Sequence, residues 1–558
     1  MNKKLIIGSN SSIVKKIRKF LRHYDFVSHN DLSNVDYGSY SKVILFSWSF
    51  KSIDDNKEII EKIPLKKIVF ISSASIFSLQ IRSQWNSYPN NKKIIEDYVL
   101  SNGGTILRLG VMNPTSIKYK DLVHPFTDQR SLIKKLNNID SCQDRVINLF
   151  NIKGESIKVP FLPGIFHKIT YILPNIRSIR ILFEIISKYF LNTFYYGYSA
   201  DTLDIFSKNI QIGYGVLGSN YRINKKLQSK IIVSNRPDLI LNKHGFKGTI
   251  LGFNKTGLSK FWHGAYLSVK DKIIYKHVPK IVLRPKIPFS AFRGHVDKII
   301  DRENFFEILA KDKNKTLSFF CSKIILAAGT IENSRLLNSL IEKPHTKLFF
   351  SDQEWTSFGV IDVKDAIEMN YIKKYGPFIM PSKLLLIKTK KYSSLIEFRP
   401  FSRESNSNLS FYSDSTKNII FKLFKQFSLS RINEAVFNKF GCALISKKIC
   451  IIGQIKAPNS ISMNLDGYLT RIRIQKKIID TIRSKLKQVF SDFEFFDHYL
   501  TSDSQHITGD QRLLNNITIK KIVQNKRLVI LGSPTKIKLN EFYPTNCYIK
   551  SFEKGRPK

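Results

Sequence analysis

The chain has 558 residues, of which 42% are hydrophobic and 12% aromatic, and its 90 Lys and Arg against 44 Asp and Glu give a formal net charge of +46. One hydrophobic core does not extend over this length, so we expect two or three domains, and the apolar content excludes an intrinsically disordered chain. Two interpretations of the charge stay open: a lysine-rich composition without function, or a basic surface for an anionic polymer or membrane.

The cysteines argue against a disulfide framework and against a structural zinc site. Neither a CxxC pair nor a Cys/His ligand spacing occurs among them, and their number is odd. The five are Cys142, Cys321, Cys442, Cys450 and Cys547. We therefore predict no metal site.

Two segments bear on localisation. The start, "MNKKLIIGSN", is basic and then apolar for only a few residues, which is not the pattern of a signal peptide. The most apolar segment, "ITYILPNIRSIRILFEIISKYFLNTFYYGY", contains Arg177, Arg180, Glu184 and Lys188, so it predicts an amphipathic helix, packed on a core or lying on a membrane surface, and no membrane span. We expect a cytoplasmic protein.

The first elements in chain order predict a parallel sheet. A strand, a turn and an amphipathic helix follow one another in "KKLIIGSNSSIVKKIRKFL", from Lys3 on. Further short buried strands follow in "SKVILFSW" and "KKIVFISSASIF". Strands that alternate with helices are typical of a doubly wound parallel sheet, so we expect a Rossmann-type unit here.

Three polar side chains are expected to meet at one edge of this sheet. Ser73 ends the third strand, at the carboxyl edge where such sheets bind ligands. Tyr88 and Lys92 are four residues apart at the start of a helix, which places them on one helical face. A tyrosine hydroxyl acts as acid or base toward an alcohol or ketone when a nearby ammonium lowers its pKa, and a serine hydroxyl holds the substrate oxygen.

With "SSAS" before it and "ILRLGV" after it, this YxxxK pattern resembles the extended short-chain dehydrogenase/reductase family, which includes the nucleotide-sugar epimerases. The resemblance covers about residues 1–205. It implies an NAD(P) cofactor, with Ser73, Tyr88 and Lys92 as the catalytic set.

The phosphate-binding motif of that family, GxxGxxG, falls on Gly8, Ser11 and Val14. The resemblance implies that Gly8 and Ser11 bind the cofactor. Val14 stands where a Cβ is expected to obstruct helix–sheet or cofactor contact. Two hypotheses follow: an active NAD(P) site, or a scaffold with weakened binding.

A second dinucleotide fingerprint lies in "NIQIGYGVLGSNYRINKKLQSKIIVS", where an apolar strand runs into Gly213, Gly215 and Gly218 before a helix and a second strand. The glycines permit a tight turn, close approach of a pyrophosphate and helix–sheet packing. The acidic residue expected at the end of the second strand is absent, since Ser234 and Asn235 stand there. We predict a second Rossmann-type unit.

Later segments resemble the glucose–methanol–choline (GMC) family of FAD oxidoreductases. They are "NKTGLSKFWHGAYL", a β-meander that begins "FRGHVDKIID", and a buried strand that ends in "ILAAGTIENSRLL". The resemblance implies FAD as the cofactor. Besides the three glycines of the fingerprint, it implies four further residues of the cofactor site, which are Gly257, Val296, Ala328 and Gly329.

The same resemblance extends to "SDSQHITGDQRLL" and "NEFYPTNCYI" near the C-terminus. In the first segment His506 corresponds to the catalytic base of the family. In the second, Tyr543 stands where the family has Asn or His. Three alternatives stay open: Tyr543 takes over the hydrogen-bonding role, Asn546 reaches in from a shifted register, or the site has decayed.

Residues 346–499 alternate polar and apolar side chains in "SLIEFRPFS", "SNLSFYS" and "ICIIGQIKAPNSISMNL", as in a half-exposed antiparallel sheet. We therefore predict an α/β protein with two Rossmann-type units, the second with an inserted α+β substrate domain built on an antiparallel sheet. The predicted domains are 1–205, 206–345 together with 500–558, and 346–499.

The resemblances imply a flavin-dependent oxidoreductase acting on CH–OH groups, with an NAD(P)-dependent dehydrogenase- or epimerase-like N-terminal domain. The implied substrate is a small sugar or sugar-derived alcohol of cell-surface polysaccharide biosynthesis. Transient association with an anionic membrane surface is a further option, and no specific nucleic acid is predicted. The alternative is a degenerate, non-catalytic basic protein that binds an anionic polymer or a membrane surface.

Overall fold

The computed structural model describes residues 3–46, 48, 52–80, 87–112, 123–154, 205–214, 230–234, 265–269, 273–277, 292–312, 315–389, 392–399, 432, 436, 443–444, 448–490, 494–495, 501–503 and 507–531. The chain divides into two compact units. The first comprises Met1–Ile210, Gln228–Lys230 and Asp297–Ile324, and the second Gln211–Leu227, Ile231–Val296 and Ile325–Lys558. The three domains expected from the sequence divide the chain differently and stay a prediction.

Six of the described strands form a parallel sheet in the order β2-β1-β3-β4-β5-β7. The strands up to Lys153 are β1 (Lys4–Ile7), β2 (Tyr24–Val27), β3 (Lys42–Leu45), β4 (Ile68–Ser73), β5 (Thr105–Leu109), β6 (His124–Phe126), β7 (Val146–Leu149) and β8 (Asn151–Lys153). The central strands are short apolar runs because helices cover both of their faces. The predicted α/β class with a parallel Rossmann-type sheet is confirmed.

The helices of this part of the chain lie on both faces of the sheet. They are α1 (Ser12–Ile17), α2 (Ile53–Glu61), α3 (Ser87–Ser101) and α4 (Gln129–Asn137), with 3₁₀ turns at Arg18–Phe20, His29–Asn34, Tyr37–Ser39, Leu65–Lys67, Ala74–Gln80 and Ile139–Ser141. Ile17 of α1 and Leu136 of α4 belong to one buried cluster with Ile6 of β1. Ile60 of α2 and Val99 of α3 belong to the cluster on the opposite face. The sheet is therefore doubly wound.

A group of phenylalanines forms a further core of the first unit. Its rings are fully or almost fully buried, and they come from sequence positions far apart: Phe77, Phe150, Phe206, Phe305 and Phe320. Phe77 and Phe320 have ring centroids 4.4 Å apart, and Phe206 stacks on Phe320 at 5.1 Å. Ser318 donates its backbone N–H to the Gln80 side chain at 2.6 Å. These contacts attach the segment that follows β4 to a hairpin more than two hundred residues later in the chain.

A second sheet contains, among the described residues, six strands in the order β14-β13-β10-β9-β15-β26. The strands from Phe206 to Leu326 are β9 (Phe206–Ile212), β10 (Lys230–Ser234), β11 (Ala265–Val269), β12 (Ile273–His277), β13 (Phe292–Asp301), β14 (Phe306–Asp312) and β15 (Lys315–Leu326), and β26 is Leu528–Ile530. Strands β10 and β13 run parallel, whereas β14 and β15 form an antiparallel hairpin. Strands β11 and β12 pair separately. Without β14, the order is β13-β10-β9-β15-β26. The first of these strands in the chain, β9, lies in the middle, with the second and third on one side and the fourth and fifth on the other. This is the strand order of a doubly wound nucleotide-binding sheet.

A third sheet is antiparallel, and its described strands follow the path β19-β20-β22-β16-β24, with β23 beside β22 and β25 beside β16. The strands of this region are β16 (Lys347–Asp362), β17 (Ile372–Tyr375), β18 (Phe378–Pro381), β19 (Leu385–Lys388), β20 (Ser393–Arg399), β21 (Ala443–Leu444), β22 (Lys448–Asn464), β23 (Leu469–Arg471), β24 (Glu494–Phe495) and β25 (Thr501–Asp503). Strands β17, β18 and β21 form a small separate sheet. The antiparallel pairing agrees with the alternation of the sequence.

Five further helices complete the described elements after Leu326: α5 (Thr330–Asn338), α6 (Val363–Glu368), α7 (Lys476–Val489), α8 (Gln511–Asn515) and α9 (Ile517–Gln524). Helix α7 is amphipathic, and its buried residues Ile479, Ile482 and Leu486 join the cluster that contains Phe358 and Ile451 of the third sheet. Within the described part of the chain, no helix combines the length and the apolar character that crossing a membrane requires.

We expect Phe320→Ala to lower the midpoint of urea unfolding, because it removes a fully buried ring that contacts four other phenylalanines. Such truncations cost about 3–5 kcal/mol. Phe20, whose side chain is 48% exposed, supplies the control Phe20→Ala, which should change stability little. Equal midpoints for the two variants would contradict the described core.

Candidate active site

The predicted trio Ser73, Tyr88 and Lys92 comes together at the carboxyl edge of the N-terminal sheet. Ser73 is the last residue of β4, and Tyr88 is the second residue of α3. The side chains of Ser73 and Tyr88 are hydrogen-bonded to each other. The Ser73 hydroxyl also accepts the backbone N–H of Ser75 at 3.2 Å, which fixes its position at the end of the strand.

Lys92 lies one helical turn after Tyr88 and is buried, with 5% of its surface exposed. Its ammonium donates a hydrogen bond to the carbonyl of Ile71 at 3.0 Å. The same Nζ lies 3.9 Å from the ring centroid of Trp48 and 4.5 Å from that of Phe70. The lysine is therefore held between the end of β4 and two aromatic rings.

Burial shifts the pKa values of both titrating groups away from their ordinary values. It lowers the pKa of Lys92 to about 7, against the opposing charge of Glu96. It raises the pKa of Tyr88 to about 12, against the opposing hydrogen bond with Ser73. The expected lowering of the tyrosine pKa by the ammonium is not found: Nζ lies 5.8 Å from the ring centroid of Tyr88, and desolvation dominates. Tyr88 therefore keeps its proton at neutral pH.

An ion pair that the sequence analysis did not find fixes α3 against the sheet. Glu96, four residues after Lys92, has a fully buried side chain and receives two hydrogen bonds from Arg108 of β5, at 3.1 and 2.7 Å. The signal in the sequence was Arg108 itself, a charged residue inside the apolar strand "TILRL" that needs a buried partner.

The turn after β1 contains Gly8 and Ser11, the predicted phosphate-binding positions. Gly8 has φ +96°, in the region that favours glycine, and its N–H donates to Val27 of β2 at 3.0 Å. The Ser11 hydroxyl caps α1 by accepting the N–H of Ile13. Val14 is fully buried in the same cluster as Ile17 and Leu136. The valine side chain thus packs in the core between helix and sheet. Its effect on cofactor binding stays a prediction.

Gly213, the first glycine of the second fingerprint, lies where β9 ends beside β15. Its N–H donates to Ile232 at 2.7 Å, and Ala327 donates its N–H to Ile212 at 2.7 Å. A Cβ on Gly213 would lie 2.3 Å from the Cα of Ala328, and φ is +86°. The glycine is thus required by the approach of the chain's own backbone.

The Ala-Ala-Gly turn after β15 is fixed by side chains of α5. Asn333 accepts the N–H of Ala328 at 3.0 Å and donates to the carbonyl of Leu531 at 2.9 Å. Gly329 has φ +91°, and no atom of the described residues lies within 4 Å of the position its Cβ would take. The Thr330 hydroxyl donates to the carbonyl of Ile507 at 3.1 Å. Asn333 was missed by the sequence analysis, although a fully buried asparagine directly after "AAGTIE" is a signal for such a role.

Val296 of β13, a predicted cofactor-binding residue, has a fully buried side chain. Its carbonyl accepts a hydrogen bond from Arg335 of α5. Arg335 in turn pairs with Glu332 at 2.6 Å. Through this hydrogen bond, Val296 helps to hold α5, the helix that follows the Ala-Ala-Gly turn.

The remaining predicted residues lie outside the described ones: Gly215, Gly218, Gly257, His506, Tyr543 and Asn546. The segment that follows His506 in sequence is described. Thr508 pairs with Ser351 through two backbone hydrogen bonds, and Asp510 binds Arg512 at 2.5 Å and the N–H of Phe349 at 3.0 Å. This segment is therefore attached to the third sheet.

No family model matches the chain, and no curated protein does. Solved structures show likeness over its N-terminal part. A dTDP-4-dehydrorhamnose reductase from Clostridium acetobutylicum is 17% identical, covering 27% of this chain and 75% of that chain with a TM-score of 0.22. A UDP-N-acetylglucosamine 4-epimerase from Bacillus cereus is 14% identical, covering 27% and 78% with a TM-score of 0.21. A Bacillus cereus UDP-glucuronic acid 4-epimerase, in complex with UDP-glucuronic acid and NAD, is 13% identical, covering 27% and 77% with a TM-score of 0.21. At these TM-scores, the likenesses do not bear on what this chain binds or does.

We expect Lys92 to make stability depend on pH. Its pKa is about 7 in the folded protein and 10.5 ordinarily, so between these values the unfolded chain binds a proton that the folded protein does not. The free energy of unfolding therefore rises with pH across this window. Lys92→Met removes the titrating group, so its stability advantage over the parent should be largest below pH 7 and shrink towards pH 10.5.

The measurement is the urea midpoint of parent and variant in buffers across this window. Lys93→Met is the matched control, because that neighbouring ammonium is 44% exposed and pairs with Asp97 on the surface. A difference between Lys92→Met and the parent that does not change with pH would show that the buried amino group has an ordinary pKa.

Proposed function

We propose that the N-terminal unit catalyses the NAD(P)-dependent reduction of a carbonyl group to an alcohol in a sugar-derived substrate. The observation that carries this proposal is the hydrogen-bonded pair of Ser73 and Tyr88 at the carboxyl edge of a parallel sheet, with the ammonium of Lys92 one helical turn away. The nicotinamide, when bound, supplies the hydride, while the protein supplies orientation and the proton.

The roles of the three side chains follow from their contacts. Tyr88 is protonated at neutral pH and gives its proton to the carbonyl oxygen as negative charge develops there. Ser73, fixed at the end of β4, donates a hydrogen bond that orients the same oxygen. Lys92, with a pKa of about 7, exchanges protons readily at neutral pH and returns one towards Tyr88.

The residues of the first turn fit a dinucleotide. Gly8 adopts a conformation with positive φ at the carboxyl edge, where a side chain is absent from the path of a ligand. Val14 does not enter that path, because its side chain is fully buried in the core. Gly8 and Ser11 would hold the phosphates. The choice of a nucleotide-linked sugar rests on the resemblance of the YxxxK segment to the extended family that includes nucleotide-sugar epimerases.

We propose a second activity, flavin-dependent oxidation of an alcohol, for the unit that contains Gly213. Its support is the doubly wound strand order of the second sheet together with the junction of small residues where β9 and β15 end. Among the described residues, no atom lies within 4 Å of the Cβ position of Gly329, which fits the close approach of a cofactor at that junction. FAD, when bound there, accepts a hydride.

The base of this second activity is His506. Its neighbour in sequence, Ile507, is hydrogen-bonded to Thr330 at the start of α5, directly after the Ala-Ala-Gly turn. Tyr543 and Asn546 stay alternatives for the second hydrogen-bonding group. Both activities interconvert an alcohol and a carbonyl compound at one carbon. The alcohol that one activity produces or consumes therefore belongs to the same chemical class as the substrate or product of the other.

We expect Tyr88→Phe to lower the rate of NADPH- or NADH-dependent reduction of nucleotide-linked keto sugars by roughly a hundred- to ten-thousand-fold. The variant loses the proton donor but keeps the ring that packs on Trp48, so calorimetry should find NAD(P) binding unchanged. Tyr98→Phe is the matched control on the same helix, because that hydroxyl contacts Glu61 at 3.5 Å, away from Ser73. Turnover by Tyr88→Phe at the parent rate would refute the role of the tyrosine, and absence of NAD(P) binding by the parent would refute the cofactor.

We expect the purified protein to show a flavin absorption spectrum at near-stoichiometric occupancy. His506→Ala should retain that spectrum but lose bleaching by a sugar alcohol under anaerobic conditions, because the substitution removes a base and leaves the dinucleotide site intact. A colourless protein that added FAD does not reconstitute, and that elutes from heparin only at high salt, would instead favour the non-catalytic basic protein. Bleaching of His506→Ala at the parent rate would place the base elsewhere.

A further inference from the structure

Trp48 contacts two of the three side chains of the N-terminal site. It lies three residues after the end of β3, and its ring meets that of Tyr88 edge to face, with centroids 5.8 Å apart at 87°. The ammonium of Lys92 lies 3.9 Å from the centroid of the same indole. The ring is also 6.1 Å from Phe70, the second aromatic neighbour of the ammonium.

The contact with Lys92 has a specific electrostatic consequence. An ammonium removed from water is destabilised unless oxygen acceptors or aromatic faces replace its hydration. Lys92 donates to the carbonyl of Ile71, and the rings of Trp48 and Phe70 lie within 4.5 Å of Nζ. Indole has the strongest cation–π interaction of the aromatic side chains. Trp48 therefore stabilises the charged form of the lysine more than Phe70 does.

We infer that Trp48 is a positioning residue of this site: its indole stabilises the charged form of Lys92 and directs the ammonium to the end of β4 beside Tyr88, an inference that rests on the function proposed for Ser73, Tyr88 and Lys92. Trp48 is not a position of the YxxxK or GxxGxxG motif. It acts through the lysine and through the orientation of the tyrosine ring.

The other charged and titratable groups around Lys92 do not replace this role. On α3 they are Tyr88, which stays neutral at neutral pH, and Glu96. From β5, Arg108 faces α3 and forms two hydrogen bonds with the carboxylate of Glu96, which offsets the attraction of that carboxylate for the ammonium. The side chains of β4 near Nζ are uncharged.

The test is the reactivity of individual lysines with trace acetic anhydride as a function of pH, read by peptide mass spectrometry. We expect Trp48→Leu to lower the titration midpoint of Lys92 by about one pH unit, because it removes the cation–π interaction while keeping an apolar side chain. Trp48→Phe keeps an aromatic face and should shift the midpoint in the same direction by less. Lys93, the exposed neighbour, is the internal control and should not shift.

An unchanged or raised midpoint for Lys92 in Trp48→Leu would overturn the inference. The pH profile of reduction should move with the labelling midpoint, which a purely structural role of Trp48 would not produce. Failure of the proposed function appears differently: the parent then shows the Lys92 titration and its response to Trp48, but no NAD(P)-dependent turnover. If the parent shows NAD(P)-dependent turnover but the titration midpoint of Lys92 is unshifted in both Trp48 variants, the proposed function is retained and the inference about Trp48 is rejected.

Discussion

The ion pair between Glu96 and Arg108 is the interaction on which the N-terminal site depends. It fixes α3 to β5, and α3 carries both Tyr88 and Lys92 at its beginning. Because the Glu96 side chain is fully buried, removal of Arg108 would leave an uncompensated charge in the core, at a cost of about 3–5 kcal/mol. A charge pair in the core thus fixes the helix that carries two of the proposed catalytic residues.

The second sheet shows a different constraint, imposed by the backbone. Gly213 is pressed against Ala327 and Ala328, so the first glycine of the fingerprint is explained by the packing of two strand ends. Gly213 is therefore more direct evidence for the strand order than for a bound ligand. The observation that concerns a ligand is Gly329, which has positive φ and no atom of the described residues within 4 Å of its Cβ position, at the start of a helix held in place by Asn333 and Arg335.

The parts of the fold that could be predicted are those encoded locally. The apolar runs of β1, β3 and β4 predicted a parallel sheet, and the four-residue spacing of Tyr88 and Lys92 predicted their common face; both follow from periodicity. The pKa of Tyr88 was not predictable, because it depends on rings that tertiary packing brings around the site. The association of Phe305 and Phe320 with Phe77 could not be read from the sequence either, since nothing local links positions so far apart.

The burial of Lys92 supports the proposed active site over a scaffold. A scaffold gains nothing from a buried ammonium: desolvation opposes the charge, and a methionine of similar volume would fill the same space without that cost. Perturbed titrating groups concentrate where proton transfer is needed, and here a lysine with a pKa of about 7 lies beside a tyrosine that is hydrogen-bonded to a serine. Val14, the residue that suggested weakened cofactor binding, packs in the core. The energetic cost of burying Lys92 is therefore better explained by chemistry at this edge than by the stability of the fold.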